Sequence, residues 1–173
     1  MIDRVNGERG SIKGWGFWEL HNEDGLLVAR GEFENLITQV GDQYYGERAA
    51  GIGGAPGQVT GMRLGTGSTA ASKTGAGAAI VTYLSGTATA IDGTYPQSAL
   101  SGGSRRITWK TTFGAGVGTA SGISEVVLTI ESPLTDVAGS AANTIARVVL
   151  SPTINKGATD VLSITWNHDL LGS

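Results

Sequence analysis

The chain has 173 residues, a formal net charge of −3, 28 glycines and no cysteine. This length is ample for a single core, the missing thiols exclude a disulfide framework and a thiolate metal site, and the slight negative charge argues against a general nucleic-acid surface. No apolar run is long enough to span a bilayer, and no basic segment leads into an apolar one, so the chain is expected to be made soluble in a cytoplasm and to meet no membrane.

About half of the charged residues precede Ala49. Beyond that point the surface must be built largely of Thr, Ser, Gly and Ala, side chains that lose little rotamer entropy when a partner covers them. Such a composition fits either a β protein with short turns or a surface made to pack against neighbours.

In chain order, residues 1–14 carry charges among Gly and single apolar residues with no period of 2 or 3.6, and read as an extended N-terminal arm, disordered or ordered by a partner. A single β-sandwich domain is expected over residues 15–173. In it, Trp15, Phe17 and Glu19 alternate with Gly16, Trp18 and Leu20, a strand with apolar bulk on both faces and expected to be covered on both. Asp24-Gly25 is a turn signal, and residues 26–34 return as a strand, so residues 15–34 form a hairpin. Trp15 and Trp18 read first as core filling, with a subunit contact as the other role open to either. Residues 38–50 hold the one short helix, capped by Thr38, with Val40, Tyr44 and Ala49 as its stripe and Gly41 and Gly46 against it.

Residues 51–60 read as a glycine-rich loop and residues 61–64 as a short strand entering a loop of small residues. Residues 78–84 read as a strand, residues 85–93 as its continuation or another weak one, and residues 95–103 as loop. Ile107, Trp109, Thr111 and Phe113 alternate cleanly with Thr108, Lys110 and Thr112. Residues 123–130, residues 144–150 stopped by Pro152, and residues 161–169 complete the strands. The last places Leu162, Ile164, Trp166 and His168 on one face. Eight or nine strands with at most one helix predict an all-β antiparallel sandwich, jelly-roll or Greek-key like.

Several motifs invite chemistry. Residues 67–74 approach a phosphate-binding loop, but Ser72 stands where its second glycine belongs, and a strand rather than a helix is expected after it. His168 beside Asp169 invites a triad, yet no Gly-x-Ser-x-Gly elbow supplies a nucleophile; His168 is expected to be half-exposed. His21 is too distant in sequence to make a metal pair with it. Glu125 and Glu131 are expected on opposite faces of one strand, and Glu32 and Glu34 in a solvated hairpin, so no carboxylate pair for sugar cleavage is indicated. Arg105 and Arg106 read as a solvent-facing strand edge or as ion-pair donors to a neighbouring subunit. No catalytic, cofactor-binding or metal residue is assigned, no cofactor is expected, and an enzyme is not the expected reading.

Four pieces nevertheless occur in an order that resembles a β-rich structural module of tailed-bacteriophage virion proteins. They are a strand ending in Leu64-Gly65-Thr66-Gly67 followed by small residues, a long strand at residues 79–84, a Glu125-Val126-Val127-Leu128 strand, and a final strand ending in Thr165-Trp166. The resemblance spans roughly residues 35–170 and includes the short helix. It implies a virion part: a capsid decoration or cement protein bridging major capsid subunits, or a collar, neck or tail-fibre subunit. The expected partners are the major capsid protein or other virion proteins, with a homo-dimer or homo-trimer, no nucleic acid and no membrane. A carbohydrate- or receptor-binding module on the same sandwich is the competing reading, and it requires Trp109 and Trp166 to be exposed.

Overall fold

The computed structural model describes residues 12–170. Ten strands are present among them: β1 Ile12–His21, β2 Leu27–Glu34, β3 Leu36–Ile37, β4 Gly61–Gly65, β5 Thr89–Ala90, β6 Gln97–Ser101, β7 Ser104–Phe113, β8 Ala120–Thr129, β9 Thr144–Lys156 and β10 Val161–Leu170. The helix α1 spans Gln39–Ala50. The first sheet runs β2-β1-β10-β7-β6 and the second β3-β9-β8-β4-β5, with every pairing antiparallel. The chain leaves the first sheet after β7, pairs β8 with β9 in the second, and returns with β10 beside β7.

The sheets close on one core. Trp18, Leu20, Trp109, Phe113, Leu162, Ile164 and Trp166 enter it from the first sheet, and Met62, Leu64, Val126, Leu128 and Val148 from the second. Period-2 alternation explains the first sheet, since each of these residues is separated from the next along its strand by a more exposed one. The second sheet differs: β4 and residues 123–129 of β8 are buried without a break, so both of its faces are covered.

The short helix forms where expected. Thr38 Oγ1 accepts from the Gly41 amide at 3.1 Å, and Gly51 closes the other end at φ 67°. Gly41 is the contact point with β9 rather than a weakness, because a Cβ there would sit 2.2 Å from the Ile145 carbonyl oxygen. Val40 and Tyr44 pack against the core as expected, joined by Gly41 and Tyr45, whereas Ala49 is exposed.

Several expectations are corrected. Ile12, Lys13 and Gly14, expected in the N-terminal arm, instead pair with Leu170, Asp169 and His168 as the start of β1; the rest of the expected arm, residues 1–11, lies outside the described residues. β1 is sealed on one face only, with Trp15, Phe17 and Glu19 half-exposed on the other. Residues 78–84 form no strand: a one-turn 3-10 helix occupies Ala76–Ala78, and the segment after it makes a single bridge, Tyr83 to Gly65. Of residues 85–93 only β5 is strand, and β6 lies inside the expected loop 95–103. β9 does not stop at Pro152. Ile123 pairs with Ile154 and Glu125 with Val149, so the exposed Ser151, Pro152 and Thr153 bulge out of the ladder, where a missing donor costs nothing.

Trp109 and Trp166 are 1% and 0% exposed and pair directly across β7 and β10. Replacing either with alanine is expected to destabilise the fold by about 3–5 kcal/mol through the cavity left in the core. Denaturant unfolding checks this, and a loss below about 1 kcal/mol would contradict the burial of the ring.

Candidate functional site

The outer face of the second sheet is built around charge. Arg63, Val127 and Arg147 lie in one row across β4, β8 and β9, and the alternation places Glu125 on the same face. Both Glu125 and Arg147 have fully buried side chains, and a charge taken out of water must be met by opposite charge and hydrogen bonds. Arg147 Nη2 donates to Glu125 Oε1 at 2.5 Å. The remaining acceptor capacity of Glu125 is filled by the backbone amides of Gly67 at 2.8 Å, Val81 at 2.9 Å and Thr82 at 2.9 Å. Arg147 in turn donates to the carbonyls of Gly77 at 3.1 Å and Thr69 at 2.8 Å. Residues 66–82 are thereby tied over the sheet as a lid. Gly67 is required at its point of closest approach, since a Cβ there would meet Glu125 Oε2 at 2.5 Å. Burial alone would raise the Glu125 carboxyl, but the amide of Val81, the Arg147 guanidinium and the amides of Thr82 and Gly67 outweigh it and hold the group below its ordinary range.

This geometry answers the phosphate-loop question. Of residues 67–74 only the Gly67 amide meets a carboxylate, and it is the protein's own Glu125, while Lys73 bonds Asp42 at 2.6 Å rather than pointing into the loop. A 3-10 turn of three residues follows the loop, and no α-helix begins there to face a phosphate.

Two further carboxylates fasten neighbouring loops. Glu131 lies beyond the end of β8, accepts from the buried Arg63 at 2.7 Å and binds the Thr135 hydroxyl. Asp136 accepts from the Gly86 amide at 2.7 Å and from the Tyr83 hydroxyl. Glu125 and Glu131 are thus spent on different arginines, and Glu32 and Glu34 are exposed on β2.

His168 and Asp169 do not cooperate, because successive residues on β10 point to opposite faces. His168 is 0% exposed, which corrects the half-exposed expectation. Its Nε2 accepts from Trp166 Nε1 at 3.0 Å, which leaves the proton on Nδ1 to be donated to the Tyr45 hydroxyl at 2.6 Å. Asn35 Nδ2 lies 3.4 Å from the same Nε2. Asp169 faces outward and takes a bidentate pair from Arg106 at 2.7 and 3.0 Å, with the Arg106 guanidinium 4.6 Å from the Trp15 ring centroid. Arg106 therefore has its ion-pair partner within its own chain, while Arg105 is exposed. His21 lies at the far end of β1, where it pairs with Val161.

A cleft of about 760 Å3 opens between α1 and β3, with Asn35, Tyr45, Asp42 and Lys73 among its lining residues. Burial pushes the Tyr45 phenol up, so it enters the cleft as a neutral hydroxyl, and Asp42 and Lys73 neutralise one another. The cleft offers shape and hydrogen bonds without an acid–base pair poised for proton transfer. Among the described residues no group of three or more His, Cys, Asp or Glu side chains is placed to hold a metal ion, and no helix is long and apolar enough to cross a membrane.

Sequence reasoning missed the Glu125–Arg147 pair, the Arg63–Glu131 pair and the Tyr45–His168 bond. The available signal was one charge inside an otherwise apolar strand, as in Ile-Ala-Arg147-Val-Val-Leu and Met-Arg63-Leu.

Burial lowers the His168 imidazole from 6.5 to about 3. The unfolded chain then binds the proton more tightly than the folded one, so stability is full above pH 6.5 and falls as pH drops below it. The carboxylates Glu125, Glu131 and Asp169, all held low, add losses only further down, below their ordinary values of 4.5 and 3.8. Between about pH 7.5 and 5 the fold is therefore expected to lose about 2 kcal/mol through His168, and a His168→Gln variant is expected to lack that slope. Denaturant midpoints across this range measure it, and an unchanged slope in the variant would contradict the assignment. Among known proteins, no family model, curated protein or solved structure matches this chain.

Proposed function

We propose that this chain is a non-catalytic structural protein of a tailed-phage virion, one that binds neighbouring protein surfaces on the outside of the head. Its role there is that of a decoration or cement subunit bridging major capsid subunits. The observation that carries the reading is the bond from the Gly67 amide to Glu125. Two of the sequence pieces behind the resemblance, the Leu-Gly-Thr-Gly loop and the Glu-Val-Val-Leu strand, lie side by side in β4 and β8 and are locked together by that carboxylate. The segment 79–84 joins them through the same group, though it is not the strand the resemblance implies. The outside of the lid supports packing as well. Thr66, Ser68, Thr69, Ala70, Lys73 and Thr74 are exposed, and all but the lysine are short.

The collar, neck or tail-fibre role is the second placement, supported by the same module. The carbohydrate-binding reading loses its platform, since Trp109 and Trp166 lie in the core and Trp15 sits under Arg106.

A clamp that binds only the assembled shell stabilises it by mass action. Particles lacking this protein are expected to release their DNA at a lower temperature than complete particles, as followed by a dye that reports free DNA. Release at the same temperature in both contradicts the cement role and moves the protein to the collar or fibre.

A further inference from the structure

Each five-stranded sheet ends in two edge strands, and the four edges differ in what they present. β3 and β5 have two residues each. β2 is longer but carries exposed Arg30, Glu32 and Glu34, and charge of this kind discourages edge-to-edge pairing. β6, Gln-Ser-Ala-Leu-Ser, carries no charge; Gln97, Ser98, Ala99 and Leu100 are exposed, with Leu100 at 73%.

The hairpin to β7 fixes which main-chain groups of β6 are free. Ser101 pairs with Ser104 across Gly102 and Gly103, whose φ values of 57° and 87° match a two-residue type I′ turn. The pair closing such a turn is hydrogen-bonded, and bonded and non-bonded pairs then alternate. Ser101, Ala99 and Gln97 therefore bond to β7, while the amides and carbonyls of Leu100 and Ser98 point away from it.

We propose that β6 is a self-association edge, where two copies of this chain pair β6 with β6, antiparallel about a two-fold axis. In the register that uses every free group, Ser98 of each copy faces Leu100 of the other and exchanges both hydrogen bonds with it. Ala99 then faces its own copy. Four intermolecular bonds form, and the two five-stranded first sheets become one continuous sheet. A second copy fits because the strand brings no like charges together and offers no charge by which a different partner would be read. Arg106 is committed to Asp169. Arg105 on β7 stands three strand spacings from its copy, roughly 14 Å, beyond the screening length of about 8 Å in physiological salt. The pairing concerns the protein in solution and stands apart from the virion role.

The chain has no cysteine, so Ala99→Cys introduces a sole thiol at the axis. Facing residues of a non-hydrogen-bonded pair lie about 4.5 Å apart at Cα, within the roughly 4.4–6.8 Å that a disulfide spans. Under mild oxidation the purified variant is expected to form covalent dimers at least about tenfold faster than Val137→Cys, an exposed thiol off the edge. Adding Ser98→Pro, which removes an outward donor and leaves the bonds to β7 intact, or Leu100→Lys, is expected to return the rate to that control with the circular dichroism spectrum unchanged. Oxidation of Ala99→Cys no faster than the control overturns the proposal. So does equally fast dimerisation in either folded double variant.

Discussion

A carboxylate with no solvent access in the middle of a β-sheet is the constraint on which the second half of this fold depends. Glu125 cannot keep its charge there unless a cation and several donors meet it. Arg147 from the adjacent strand supplies the cation, and the amides of Gly67, Val81 and Thr82 supply the donors. Because those amides come from a segment with no ladder of its own, the same bonds that satisfy the charge give residues 66–82 their conformation. The lid is in effect folded by the sheet it covers. A buried pair of this kind adds little net stability over apolar packing. Here it selects one arrangement, since a one-residue slip of β8 would turn Glu125 into the core and leave the three amides unmet.

The same economy recurs around the sandwich. Arg63 with Glu131 fastens residues 131–135, and Asp136 fastens residues 83–86. Glu125 and Glu131, which sequence reading weighs for catalysis, are tie points between strands and loops. His168 follows this logic on the other sheet, where it links Trp166 in the core to Tyr45 on α1 and so joins the helix to the first sheet. The surface left outside these ties is rich in short side chains, and that is the property a packing role uses.

How much of this the sequence discloses depends on whether a residue answers to its neighbours or to distant groups. The alternation of Ile107, Trp109, Thr111 and Phe113, and of Leu162, Ile164 and Trp166, is local and legible, and so is the Thr38 cap. The two-sheet all-β architecture follows from it. Residues 79–84, Ala-Ile-Val-Thr-Tyr-Leu, have every local mark of a strand. They fail to form one because two of their amides are claimed by a carboxylate more than forty residues away. β6 was hidden by its polar, turn-like composition, and the run of β9 past Pro152 by a bulge that only register reveals. The buried charges were half legible. Arg147 within Thr-Ile-Ala-Arg-Val-Val-Leu cannot face water if both faces of that strand are covered, but which carboxylate answers it is set by the pairing of β8 with β9. His168 reads as half-exposed because it is polar and near the end of β10, although the alternation already puts it on the core face with Leu162, Ile164 and Trp166.

The central claim is that Glu125 holds the lid. Native-state hydrogen exchange on a Glu125→Ala variant tests it most directly. Removing the carboxylate takes away the acceptor of three amides that no strand pairing protects. The amides of Gly67, Val81 and Thr82 are expected to lose protection together, by at least about tenfold, while those of β1, β7 and β10 in the first sheet keep the protection of the wild-type protein relative to global unfolding. If the three amides stay as protected as before, or if they lose protection only in step with the whole fold, the lid is held by something else and the account is wrong.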